Sequence, residues 1–110
     1  MDNYQAFDIA AHFNEFVGIG GDLDYEKFYP DKAFQIEWIT NYLRAFQGAD
    51  PDPQRVEAVY GLVCKFSLCS HLLWGIWALL MAKFSALDFD YIQFHCQRMN
   101  AYFVGKAKYI

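Results

Sequence analysis

Residues 65–83 read KFSLCSHLLWGIWALLMAK, and between Lys65 and Lys83 no side chain carries a formal charge. A helix needs about 17–20 mostly apolar residues to cross a hydrocarbon core. This run barely reaches that length, and it does so only by including Ser67, Ser70 and His71. It reads as the buried central helix of a helical protein, with no membrane span expected.

Working outward, Pro53 suits the first turn of a helix. Val56, Val59, Tyr60 and Val63 then lead into the apolar run, so one helix is expected from about Pro53 to about Phe84. Gly61 and Gly75 each weaken it by about 1 kcal/mol relative to alanine, and either could mark a bend or a close packing point. Upstream, Asp31 is a good N-cap for a helix running to about Phe46, with Gly48 as its stop. Phe34, Trp38, Ile39, Tyr42, Leu43 and Phe46 recur there at helical steps, the clearest amphipathic signal in the chain. A further helix is expected from about Gln5 to Val17, although Phe7, Ala11, Phe13, Phe16 and Val17 do not form one clean stripe. A last helix should open at Asp88 and end near Val104, with Gly105 as its stop. Gly18, Gly20 and Gly21 with Asp22 and Asp24 read as a loop, and Tyr29-Pro30-Asp31 as a turn. With no segment alternating apolar and polar residues, the expected fold class is all-α, as a single helical unit over residues 1–110.

Composition narrows the function. The chain is 55% hydrophobic and 20% aromatic, with 11 Phe, 8 Tyr and 3 Trp, which excludes a disordered chain. A 110-residue unit has too little interior to hide so many rings, so part of the aromatic surface should meet something else. The net charge is −4, and the nine basic residues are scattered, which argues against a nucleic-acid partner. Cys64, Cys69 and Cys96 form no CxxC, and residues 1–10 lack the basic start of a secretory signal. Reduced, mostly buried thiols and a cytoplasmic location are expected.

The chemistry-bearing groups are few. Trp74 and Trp77 lie three apart and share a helix face, with Ser70 and His71 one turn earlier. Two core tryptophans are the plain reading; one wall of a cation-binding aromatic pocket is the sharper one. Glu15 stands between Phe13 and Phe16, either on a solvent face or as the anionic partner of a bound ammonium. Asp8 and His12 are spaced for an intrahelical pair. His71 and His95, each among apolar neighbours, read as satisfied core histidines. Asp8, His12 and Glu15 on a single helix offer poor geometry for a metal, so no metal site is expected. Glycine-rich phosphate loops, GxSxG and HxDxxxxN are absent from these residues.

Two stretches nevertheless carry a resemblance. NYQAFDIAAHFNEF, residues 3–16, resembles the segment after the magnesium-binding aspartate of choline/ethanolamine kinases. KFSLCSHLLWGIW, continuing through Ala82 to Phe89, resembles their late helix and its exit, and Arg98 to Phe103 their closing helix. Asn14 and Phe16 lean toward the ethanolamine kinase branch. The resemblance implies the C-terminal helical part of a protein-kinase-like fold, lacking the N-terminal lobe and catalytic loop. It places Glu15, Trp74, Trp77 and Phe89 at positions that line the family's ammonium pocket. Phe94 joins them where the family often has a tyrosine, which removes a polar contact. Ala11 replaces an asparagine usual in the HF motif, and Gly20 stands where choline kinases can have another pocket tyrosine.

The implied function is transfer of the ATP γ-phosphate to ethanolamine, with choline the lesser substrate, at the entry to phospholipid synthesis. This chain would supply the substrate pocket and be inactive alone. It would bind no cofactor itself, while ATP and magnesium belong to the complete enzyme. Its macromolecular partner would be the missing N-terminal region or a full-length homologue. Two rivals are a non-catalytic helical binding or pairing module and a small membrane-associated protein using residues 66–82.

Overall fold

The computed structural model describes residues 3–18, 24–87 and 89–110. Its helices are α1 (Asn3–Glu15), α2 (Tyr25–Phe28), α3 (Lys32–Gln47), α4 (Pro53–Phe84) and α5 (Tyr91–Tyr109), with no strand among the described residues. The fold class is all-α.

The caps explain most boundaries. Asp31 accepts a hydrogen bond from the Phe34 amide at 2.8 Å, which starts α3. Gly48 ends it in the left-handed region, φ +75°, a conformation glycine adopts without steric cost. Asp52 caps α4 through the Gln54 amide at 2.9 Å, and Pro53 occupies the first turn. From there α4 runs unbroken for 32 residues. At about 1.5 Å per residue that is about 48 Å, and the molecule's long axis is 48 Å.

Against this rod α5 lies antiparallel. Its Arg98 meets Ser70, His95 meets Gly75, and Gly105 meets Leu68, so contacts run in opposite directions along the two helices. Two glycines serve this packing: Gly75, one of the two expected to weaken α4, and Gly105, whereas an added Cβ on Gly61, the other, would meet nothing within 4 Å. A Cβ on Gly75 would stand 3.0 Å from the Met99 sulfur, and one on Gly105 would stand 2.7 Å from a Leu68 methyl. Gly105 is therefore not the expected stop: α5 continues through it to Tyr109, because support from α4 outweighs a glycine's intrinsic cost. The cap of α5 is Asp90, which accepts from the Gln93 amide at 2.9 Å; the expected opening residue, Asp88, lies outside the described residues. Gly20, Gly21 and Asp22 of the expected loop also lie outside them.

The single turn α2 was not anticipated. Asp24 caps it by accepting from the Lys27 amide at 3.1 Å, but four residues show no periodicity to read.

The main core joins Ala6, Ile9, Ala10 and Phe13 of α1 to Ile39 and Leu43 of α3 and to Val56, Val59 and Val63 of α4. A smaller one joins Ala78 to Tyr91 and Phe94. Phe34 and Phe46, expected on the buried stripe of α3, are exposed; Gln35 takes the inward position and donates to the Pro30 carbonyl at 2.8 Å. Helix α1 lacks one clean stripe because it uses two. Ala6, Ile9, Ala10 and Phe13 face the core, while Phe7, Ala11 and Glu15, four apart, face elsewhere. The cysteines are free, and only Cys64 is buried, so the expectation of mostly buried thiols fails at Cys69 and Cys96. By length and composition α4 is apolar enough to cross a membrane, and 44% of its most apolar window is buried.

Candidate functional site

Between the two cores lies a cavity of about 480 Å³, within the range of small-molecule sites. The outer face of α1 forms one side with Phe7, Ala11, Glu15 and Gly18. Opposite stand Ser70, Leu73, Trp74 and Trp77 of α4, and the α4–α5 junction contributes Leu87, Phe89, Tyr91, Phe94 and Arg98. Glu15, Trp74, Trp77, Phe89 and Phe94, the five residues singled out from the sequence, thus share one cavity.

The rings brace one another. Trp74 and Trp77 meet edge to face at 5.3 Å, and Trp77 stands at 5.7 Å from Tyr91 and 6.4 Å from Phe94. Phe89 closes the set at 4.9 Å from Tyr91 and 6.1 Å from Phe94. Such contacts fix ring orientation, which matters because a cation is attracted by a ring's face and not by its edge. Trp74, Trp77 and Phe89 remain 37–40% exposed, so their faces are open to the cavity and its mouth.

Buried polar contacts hold the walls. Ser67 donates to the Asn14 amide oxygen at 3.1 Å, pinning α1 to α4 one residue before Glu15. Arg98 donates to Ser70 at 3.0 Å, and His95 Nδ1 lies 2.7 Å from the Gly75 carbonyl, both pinning α5 to α4. His71 departs from the expected satisfied core histidine: it is buried with no partner for Nδ1, and burial, then the Arg98 charge, push its pKa down to about 3. Burial raises the Tyr25 hydroxyl, with Arg98 pulling the other way. His12 packs its ring on Phe16 at 5.2 Å and on Trp38 at 5.4 Å. Asp8, His12 and Glu15 do not converge, and among the described residues no group of three or more His, Cys, Asp or Glu is placed to hold a metal.

Arg98 and Tyr91 are the polar lining residues that sequence reasoning missed, beside the apolar Leu73 and Leu87. Their signal was spacing: Arg98 follows Phe94 by one turn, as Ser70 precedes Trp74. An arginine or tyrosine on an apolar helix reads by default as a surface group or a packing ring.

An all-helical chain with a ring-walled cavity and a single carboxylate fits the C-terminal helical part of a protein-kinase-like fold. A family model for choline/ethanolamine kinase matches residues 1–103. Among similar proteins, ethanolamine kinase 2 of Rattus norvegicus is 44% identical over 96% of this chain and 27% of its own length. Ethanolamine kinase 1 of Mus musculus is 42% identical over 96% of this chain and 30% of its own. The ethanolamine kinase of Drosophila melanogaster is 38% identical over 98% and 21%. This chain belongs to the choline/ethanolamine kinase family. It spans less than a third of the length of these relatives.

Proposed function

We propose that this chain forms the amino-alcohol pocket of an ethanolamine kinase, which transfers the ATP γ-phosphate to the hydroxyl of ethanolamine at the entry to phosphatidylethanolamine synthesis, with choline the lesser substrate. The observation that carries this reading is one cavity holding the Glu15 carboxylate and the rings of Trp74, Trp77, Phe89 and Phe94. A small ammonium gains from ring faces on several sides. A primary ammonium also donates charge-assisted hydrogen bonds to a carboxylate, which the trimethylammonium of choline cannot do. Relatives that are themselves ethanolamine kinases support the same substrate class.

Phosphoryl transfer further requires a phosphate clamp, a group to receive the hydroxyl proton, and metal ligands. The described residues do not fit a metal, so magnesium and ATP would be held by the N-terminal region of a complete kinase or by a full-length homologue. The isolated chain is inactive in this reading. Incubated with ATP, magnesium and ethanolamine, it should yield no phosphoethanolamine above a denatured control; measurable turnover would overturn that point.

Calorimetric titration tests the pocket. Wild type should bind ethanolamine saturably. Trp74→Ala should weaken binding about 2- to 30-fold, the equivalent of about 0.5–2 kcal/mol for one cation–π contact. Glu15→Gln should weaken ethanolamine about 10- to 150-fold, the equivalent of about 1.5–3 kcal/mol for a hydrogen bond to a charged group, and weaken choline less. A non-catalytic pairing module is the second reading. It is favoured by the exposed apolar row Leu73, Ile76, Leu80 and Phe84 along α4. Failure of wild type and both variants to bind either amine would select it over the pocket.

A further inference from the structure

His95 stands behind the aromatic wall and does not line the cavity. Its ring is half-buried on α5, with Nδ1 2.7 Å from the Gly75 carbonyl of α4. A carbonyl only accepts, so Nδ1 carries a proton and donates. That carbonyl lies in the middle of an unbroken helix, where the helical ladder already supplies it with a donor. The bond is therefore an addition to α4 and not the rescue of an unpaired group. Close approach permits it: Gly75 has no side chain, and a Cβ there would stand 3.0 Å from the Met99 sulfur, one turn beyond His95.

The place of this bond matters more than its existence. Gly75 directly follows Trp74, and His95 directly follows Phe94. Trp74 and Phe94 both line the cavity, from different helices. One turn on from Trp74, Trp77 meets Tyr91 and Phe94 of α5 at 5.7 and 6.4 Å. Apolar contact is non-directional, so it draws two helices together without setting how far one slides along the other. A hydrogen bond weakens steeply off its axis, so it does set that. Arg98 and Ser70 form a second directional bond about a turn away. The His95 bond is the one whose two residues adjoin aromatic lining residues. We propose that His95 is a positioning residue of the cavity: protonated on Nδ1, it locks α5 onto α4 in the register that seats Trp77 against Tyr91 and Phe94 and turns the tryptophan faces to a bound ammonium. Its effect on ligand binding rests on the function proposed above; its effect on the rings does not.

Two variants test this. In His95→Asn a donor nitrogen stands the same number of bonds from the backbone as Nδ1, whereas His95→Leu keeps bulk and has no donor. Both lose the imidazole ring, so a merely structural role predicts the same defect in each. Calorimetry with ethanolamine should find His95→Leu about 2- to 12-fold weaker than wild type, the worth of one neutral hydrogen bond, and His95→Asn should recover most of that loss. The near-ultraviolet circular dichroism of the tryptophans, without ligand, should change in His95→Leu and stay close to wild type in His95→Asn. Should His95→Leu fail to fold, wild type decides by itself. At mildly alkaline pH, where an ordinary imidazole is neutral, nitrogen-15 spectra of labelled histidine should show His95 protonated on Nδ1. A proton on Nε2, or the same dichroism in the two variants, overturns the proposal. Variants that differ in dichroism but bind alike overturn the role in binding. A wild type that ignores ethanolamine, while the variants still differ in dichroism, overturns the ammonium reading and supports the positioning of the rings.

Discussion

Phe13→Ala is expected to lower the unfolding free energy by about 3–5 kcal/mol. The ring is fully buried in the main core and stands 5.2 Å from Trp38 of α3, edge to face. Its removal deletes apolar burial and leaves a cavity that a helix pinned on both sides cannot collapse to fill. A domain of this size has about 5–15 kcal/mol in total, so the variant should be close to unfolding at room temperature. Urea titration followed by circular dichroism measures it. A loss under about 1 kcal/mol would mean that α1 does not dock on the core as described. The same substitution should weaken ligand binding, because Asn14 and Glu15 follow Phe13 directly.

Acid should destabilise the fold through His71. An unfolded histidine titrates near 6.5. In the folded chain, burial and then Arg98 hold its pKa at about 3. Between these values the unfolded chain binds a proton that the folded chain refuses. The stability due to neutral His71 is therefore fully present above about pH 6.5 and declines as pH falls toward about 3, by up to about 1.4 kcal/mol per pH unit. Urea midpoints at pH 7, 6, 5 and 4, compared between wild type and His71→Gln, isolate this from the carboxylates, which titrate in both proteins. Parallel pH curves for the two would refute it.

Elements with local signals were legible in the sequence. Asp31 and Gly48 bound α3 by capping chemistry alone, and the uncharged run centred on Trp74 announced one long helix. The last helix was misjudged at its end because Gly105 breaks helices by propensity, yet here it lets α5 approach Leu68. That requirement lies in the tertiary contact. Helix α2 is one turn and leaves no periodic trace. Trp74, Trp77, Phe89 and Phe94 of the cavity were readable from spacing and resemblance, whereas Tyr91 was not. Arg98 was not, because nothing local distinguishes an arginine buried against Ser70 from one in water.

The two-faced build of α1 ties together properties that are usually separable. Successive residues on a helix point about 100° apart. The core contacts of Ala6, Ile9, Ala10 and Phe13 therefore fix the angle at which Phe7, Ala11 and Glu15 meet the cavity. The hydrophobic core works as a gauge for the carboxylate. A one-residue slip of α1 would expose Phe13 and swing Glu15 away from Trp74 in the same motion. Accurate packing and an accurately placed charge are thus one condition, met or lost together.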